Sequence, residues 1–487
     1  MLSLAGMSEA VLLFLFFGVQ GLYSLSMAVN IYFRTLPTNK VEQADIDAVD
    51  RNNLPFIVLY YPVLRELEAT MRTTFRTIAN IDYPKRRFRV VSIPNADDRE
   101  TIASLRRLKG EFSFLEVIEV PPTSDPRWSV VWHAWDNNPK AYWWHQGARA
   151  RNRSLPPKKT RQLIYAFYNT AKYLLPKEDF LINYIDADSC PPRDHFIAGA
   201  AGIKKFDVLQ AQNIAGNLLD SMAATWHAAD HMAWDGLTYP HISADGKQPF
   251  WVLGKGLFFK ASDLVKLGGF HPWTTIEDPE VGMRFWINGK RIGIIENPLI
   301  EEVPTTIAHG ITQRKRWVCG FFQSLSSPLK AMGYSRWQRF RAWLNFLPCL
   351  SLSINSIGFP VGVWAIWSVW RGDGIIPQAG VWLSWANVTI LSLLLASLYV
   401  SIWKRTRLVL DTRLMRAWYI LRVNPVSIMI WWLIWCIPLW IGFQMFRKDG
   451  GLVWERTVKI DANHNLIRLD RGQDLPEQQT GLPTAAE

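Results

Sequence analysis

Four long stretches without a charged side chain dictate how this chain must be solvated. They are Ala10–Phe33, Ala342–Trp370, Ile375–Trp403 and Val423–Phe446. Each exceeds the roughly 20 residues an α-helix needs to cross a hydrocarbon layer of ~30 Å. Within a bilayer the backbone must satisfy its own hydrogen bonds, so such segments fold as helices. The first is too long for the apolar core of a signal peptide and no small-residue cleavage site follows it, so it is expected to remain as an anchor. Between the first and second lies a polar block of a size suited to one domain.

Charge placement sets the expected orientation. Only Glu9 precedes the first segment, whereas Arg34 and Lys40 follow it, and the block 34–341 is rich in lysine and arginine. The positive-inside rule puts that block in the cytoplasm and the N-terminus outside. The connection 404–422 carries Lys404, Arg405, Arg407, Arg413, Arg416 and Arg422 against Asp411, so it also belongs inside. Arg447 and Lys448 follow the fourth segment closely, and Pro438 interrupts it, which favours a non-spanning or re-entrant arrangement over a fourth crossing. The net charge of +12 is thus a signal of topology and lipid headgroups. A nucleic-acid partner is not expected, because the basic residues flank membrane segments and no recognition motif accompanies them. The four cysteines show no CxxC or Cys/His ligand spacing, which supports neither zinc nor a disulfide framework.

Inside the polar block, Phe56–Tyr61, Phe88–Ile93, Leu115–Val120 and Phe180–Ile185 are short β-branched and aromatic runs, as buried strands require. Glu66–Ile81 and Arg161–Leu175 have helical apolar spacing. This alternation predicts an α/β domain with a mostly parallel sheet, whose ligands bind at the carboxyl ends of the strands. Asp186 and Asp188 fall just after one such strand. Pro121–Lys159, with Trp128, Trp132, Trp135, Trp143 and Trp144, shows neither period; it reads as an irregular loop packed on the domain or dipping into the membrane interface, or as a sugar-contacting flap. Gly472–Glu487 lacks apolar periodicity and is expected to be disordered.

Asp186-Ala187-Asp188, Glu277-Asp278 and Gln313-Arg314-Lys315-Arg316-Trp317 occur in that order. Carboxylates that can hold a metal-bound diphosphate, a carboxylate base, and cations beside an aromatic platform are the groups that sugar transfer needs. Taken singly, each string has a plain structural explanation: a strand-end turn, a helix N-terminus, a juxtamembrane basic cluster. Together, with Glu301-Glu302-Val303-Pro304 and Trp454-Glu455-Arg456-Thr457, they resemble the membrane-integrated family-2 glycosyltransferases, the group of cellulose, hyaluronan and chitin-oligosaccharide synthases. The nearer likeness is to its bacterial branch with EEVP, QRxRW and WEKT-like strings.

The resemblance implies a GT-A-type α/β catalytic domain fused to an α-helical transmembrane bundle. The boundaries are an anchor at 1–34, a cytoplasmic catalytic domain at 54–335, membrane and interfacial helices at 336–447 and a tail at 448–487. It implies a multi-pass protein of a bacterial inner membrane that moves a hexose from a UDP- or GDP-sugar, with inversion, to a growing β-linked polysaccharide and couples transfer to export. The alternatives are a lipid-linked acceptor receiving single sugars, or a non-catalytic export or receptor component with a transferase fold. By the same resemblance Asp188 ligates a divalent cation (Mn²⁺ or Mg²⁺), with Asp186 beside the nucleotide. Asp278 is the general base, and Glu277, Gln313, Arg316 and Trp317 serve the acceptor. Lys159, or its neighbour Lys158, meets the donor phosphates, and Asp97 or Asp98 contacts base and ribose. Ile276 replaces the threonine usual before Glu277-Asp278, and Gly254-Lys255-Gly256 resembles an acceptor-side loop in which backbone approaches ligand. His227 and His231, at i and i+4, lack an evident third metal ligand and read as packing residues of an amphipathic helix.

Overall fold

The computed structural model describes residues 4–142, 152–242, 249–327, 333–448, 461 and 463. Seven strands form one sheet: β1 Phe56–Pro62, β2 Phe88–Ile93, β3 Leu115–Val117, β4 Phe180–Tyr184, β5 Val208–Ala215, β6 Leu257–Lys260 and β7 Ile292–Glu301. Their order is β3-β2-β1-β4-β6-β5-β7. All pairings are parallel except those of β6, which runs antiparallel to both β4 and β5. This is the mostly parallel GT-A-type sheet that the sequence implies, with one reversed strand inside it, between β4 and β5. Apolar cores cover both faces. On one, Val58, Tyr60 and Ile182 pack with Leu163 and Phe167 of helix Lys159–Leu174; on the other, Leu59 and Leu181 pack with Met71 and Phe75 of helix Glu68–Ala79.

Pro121–Lys159 packs on the domain, as one of the expected readings has it, but its described part is not irregular. It contains a 3₁₀ turn, Pro126–Trp128, and a helix, Ser129–Asp136. Trp128, Val131 and Trp135 are fully buried, and Trp128 and Trp135 lie against Tyr165 and Tyr168 of helix Lys159–Leu174. Two short turns are too few to show a period in sequence, and the tryptophans are core residues (Trp143 and Trp144 lie outside the described residues).

Four helical stretches are long and apolar enough to cross a membrane: Ser8–Thr35, Arg336–Arg371, Gln378–Leu408 and Pro425–Arg447. Phe14, Ile366, Trp370, Trp382 and Leu393 are all exposed, which suits a lipid-facing surface and would be costly in water. The second stretch is broken. Helix Arg336–Leu350 passes through the 3₁₀ turn Ser351–Ile354 into helix Asn355–Arg371. Pro348 removes one backbone donor, and where the helix tightens beyond it the hydroxyls of Ser351 and Ser353 donate to the carbonyls of Pro348 and Leu350 at 2.8 and 2.6 Å. Helix Pro425–Arg447 differs from the rest in lying along helix Ile307–Leu325: Trp435 faces Arg314, Gly442 meets Val318 and Phe446 stacks on Phe322.

Candidate active site

The carboxyl end of β4 feeds the turn Asp186–Ser189. The Ser189 amide donates to the Asp186 carbonyl at 3.0 Å, and the Ser189 hydroxyl accepts from the Asp186 amide at 3.2 Å. The Ala187 carbonyl between the two aspartates is held by the hydroxyls of Tyr61 and Thr74. Asp188 is buried, and its Oδ2 accepts from the backbone amide of Glu302 at 2.8 Å. The EEVP string is therefore a shelf for Asp188. Asn217 fixes that shelf from behind, accepting from the Val303 amide and donating to its carbonyl, both at 2.9 Å.

Glu301, at the end of β7, accepts from Ser189 Oγ at 2.6 Å and pairs with Lys255. Burial, reinforced by Asp188 and Asp186 and opposed by Lys255, pushes the Glu301 carboxyl up to about 7. Lys255 and Glu301 lie in the Gly254–Gly256 and Glu301–Pro304 strings, but sequence alone does not mark either as a site residue.

Glu277 and Asp278 open helix Asp278–Ile287, with Pro279 in its first turn, where a missing N–H costs nothing. Ile276 packs on Gly320, and Gln323 accepts from the Thr275 amide at 2.6 Å. The isoleucine thus ties this loop to helix Ile307–Leu325. Asp278 Oδ1 accepts from the Tyr184 hydroxyl at 2.8 Å. Burial and the adjacent Glu277 carboxyl hold Asp278 well above the usual carboxylate range. Lys159 joins the two acidic pairs, its Nζ lying 2.9 Å from Asp186 Oδ1 and 3.3 Å from Glu277 Oε1. Burial alone would lower this lysine, but Asp186, Glu277 and Asp278 outweigh it and hold the ammonium well above its ordinary value. Lys158 instead donates to the Thr274 carbonyl at 3.0 Å in the core, which separates the two neighbouring lysines.

Gly254 explains why the Gly254–Gly256 loop needs its glycine. Its φ is +70°, and a Cβ there would sit 2.1 Å from Asp278 Oδ2. Both facts exclude a side chain. Gly254→Ala is expected to displace Asp278 and cut turnover by about 10²-fold, with folding retained by thermal melt. Wild-type turnover in that variant would show that Asp278 needs no such close fit.

Asp186, Asp188, Lys159, Glu277, Asp278, Gln313, Arg316 and Trp317 line one cavity of about 250 Å³. Its wall also includes Glu66, Asp230, Asp235, Lys255 and Arg314, which sequence reasoning left out, and it continues past Phe321 to Phe346, Cys349 and Trp435. Asp97 and Asp98 do not line it. Asp98 caps helix Arg99–Glu111 through the Thr101 amide at 3.4 Å and accepts from the Arg65 amide at 2.7 Å, so both its oxygens hold the fold. His227 is buried edge-on against Trp431 and beneath Gly310, a packing position. Trp454–Thr457 lies outside the described residues, but Asn463 donates to the Asp188 carbonyl at 3.3 Å.

Among the described residues no three His, Cys, Asp or Glu side chains cluster as a closed metal cage. Asp186 and Asp188 offer two hard-oxygen carboxylates on a fixed turn. That donor set fits Mg²⁺ or Mn²⁺, which keep positions for water and phosphate rather than occupying an all-protein cage.

Among curated proteins no match is found. Solved structures with a similar course of chain include a mannosyltransferase, PcManGT, from Pyrobaculum calidifontis in complex with GDP-Man and Mn²⁺; it is 16% identical with a TM-score of 0.43, covering 79% of this chain and 97% of that one. TarS 1-349 of S. aureus in complex with UDP-GlcNAc is 11% identical with a TM-score of 0.32, covering 81% and 92%. The profile of glycosyl transferase family group 2 matches residues 181–445, from β4 to the end of the last apolar helix. With its GT-A-type sheet and this match across more than half its length, the chain belongs to glycosyl transferase family group 2.

Proposed function

We propose that the protein is an inverting, metal-dependent glycosyltransferase that moves a hexose from a UDP- or GDP-sugar to a growing β-linked polysaccharide, in the cellulose, hyaluronan and chitin synthase-like branch. The observation that carries this reading is the continuity of the cavity. It runs from Asp186 and Asp188, past Asp278 and Trp317, to Phe346 and Cys349 on the helix that leads into the membrane segments.

In this reading Asp186 and Asp188 hold a divalent cation whose charge offsets that of the departing diphosphate. Lys159 meets the same phosphates. Asp278 takes the proton of the acceptor hydroxyl as that oxygen attacks the anomeric carbon from the face opposite the nucleotide. Gln313, Arg316 and Trp317 hold the acceptor, the indole supplying an apolar face for a sugar ring.

The pH profile offers a check. A base works only when ionised, so activity is expected to rise with pH through a limb above the usual carboxylate range. The Tyr184 hydroxyl donates to Asp278 and favours its charged form. Tyr184→Phe is therefore expected to move that limb to higher pH, measured as kcat/KM against pH. A limb that stays put or moves down would detach Asp278 from the rate.

Two observations support three crossings, with helix Pro425–Arg447 lying in the interface. The helix runs along the catalytic domain, from Ser427, which accepts from Trp226 Nε1, to Phe446 on Phe322. The hydrogen bond of Asn463 to Asp188 needs both on one side of a bilayer. With a cytoplasmic nucleotide sugar, that side is the cytoplasm.

The apolar end of the cavity would also receive a lipid, so a non-processive transferase with a lipid-linked acceptor is the second reading. Purified protein incubated with Mn²⁺ and a panel of radiolabelled nucleotide sugars separates the two. Label in a product excluded from a sizing column supports the polymer; label in extractable lipid supports the alternative. Absence of transfer from every donor, with or without added membrane lipid, would overturn both.

A further inference from the structure

Arg314 is the most buried cation of the Gln313–Trp317 string, at 1% exposure. Its Nη2 lies 2.8 Å from Asp230 Oδ2, and the same carboxylate oxygen accepts from Trp435 Nε1 at 2.7 Å. Its guanidinium carbon lies 5.0 Å from the ring centres of Trp431 and Trp435, and 5.5 Å from that of Trp317. Nε and Nη1 have no hydrogen-bond partner among the described residues, so the indole faces are their main compensation. One carboxylate oxygen and one guanidinium thus tie together helix Met222–Ala233, helix Ile307–Leu325 and helix Pro425–Arg447.

An isolated buried charge is expensive, and a pair of them stabilises the fold less than apolar residues of the same shape would. A purely structural junction of three helices would be better filled with leucine. What the pair adds is orientation. A planar guanidinium held by a carboxylate faces indoles in one geometry, and two of those indoles, Trp317 and Trp435, line the cavity that Asp278 also lines. We propose that Arg314, held by Asp230, is a positioning residue that fixes the Trp317 indole as the acceptor platform, with helix Pro425–Arg447 as its buttress. This rests on the reading of Trp317 as the surface that holds the acceptor sugar.

When the platform is displaced, water can take the place of the acceptor hydroxyl. The bond from the anomeric carbon to the phosphate oxygen still breaks, but the new bond is to the water oxygen, and Asp278 takes the water's proton. The informative quantity is therefore nucleoside diphosphate released against labelled sugar incorporated. The two should be equal in the native enzyme with its preferred nucleotide sugar. In Arg314→Met, release is expected to exceed incorporation by about tenfold or more, with donor KM unchanged. Arg314→Lys, which keeps the charge without the plane, should fall between. Loss of both quantities in equal proportion would mean that Arg314 only holds the fold, and would overturn the proposal. If Arg314→Met does not fold, Trp435→Phe removes the bond to Asp230 and replaces one of the indoles facing Arg314 by a smaller ring, and should still raise the ratio; a native ratio there would also overturn it. Trp317→Ala distinguishes the underlying reading. A native ratio in that variant means Trp317 is not the platform, whereas a raised ratio there with a native ratio in Arg314→Met defeats the positioning role alone.

Discussion

Replacing Asp278 by asparagine is expected to lower turnover by roughly 10²–10⁴-fold while leaving donor binding intact. The substitution keeps the shape that fits against Gly254 and an oxygen that can accept from the Tyr184 hydroxyl. What disappears is the ability to take a proton. It also removes one negative charge from beside Glu277, so the fold should not suffer from the change. Measured by single-turnover transfer and by nucleotide binding, the variant should bind and not react. Near-native transfer would exclude Asp278 as the base.

The second large effect concerns Asp188. Chelation is expected to abolish transfer, and Mn²⁺ or Mg²⁺ to restore it, because a divalent cation offsets several kcal/mol of charge that develops on the diphosphate. Asp188→Ala should lose about 10³-fold or more and gain nothing from either ion. Alanine also deletes the acceptor for the Glu302 amide, so Asp188→Asn is the sharper variant. It retains an oxygen for that amide but not the charge. If the asparagine variant is active and only the alanine variant is dead, Asp188 serves the EEVP shelf rather than a metal. Full activity in excess chelator would exclude the metal altogether.

Local chemistry made parts of this architecture legible in sequence. Phe88–Ile93 was readable as a strand because Phe88, Val90, Val91 and Ile93 suit a buried sheet, and Phe56–Pro62 and Phe180–Tyr184 differ from expectation only at their ends. Val208–Ala215 and Ile292–Glu301 were not readable. The first contains Gln210, Gln212 and Asn213, and the second Asn297-Pro298, residues that argue against a central strand. Their polar groups are satisfied by residues distant in sequence: Gln210 accepts from the Leu253 amide at 2.8 Å and donates to the Lys255 carbonyl at 2.6 Å, and Asn213 donates to Asp235 at 3.0 Å. Such partners exist only after folding.

The site divides in the same way. The residues carried by short strings, from Lys159 to Trp317, meet in one cavity. Asp230 became visible only through its pairings across the chain, and the same holds for the individual parts played by Lys255, Glu301 and Arg314 within strings that sequence already marks. An acidic residue after a strand has two uses that sequence does not separate, and Asp98 caps a helix here. Pro425–Arg447 illustrates the limit of composition. A helix apolar enough to span a bilayer is equally suited to packing on the aromatic face of helix Ile307–Leu325.

The central claim is that one cavity holds the departing diphosphate near Asp186 and Asp188 and a base, Asp278, for attack from the opposite face. The most direct test is the anomeric configuration of the first glycosidic bond formed from an α-linked nucleotide sugar, read by NMR before any further processing. The account predicts a β-linkage in the product. An α-linkage, meaning retained configuration, would contradict it.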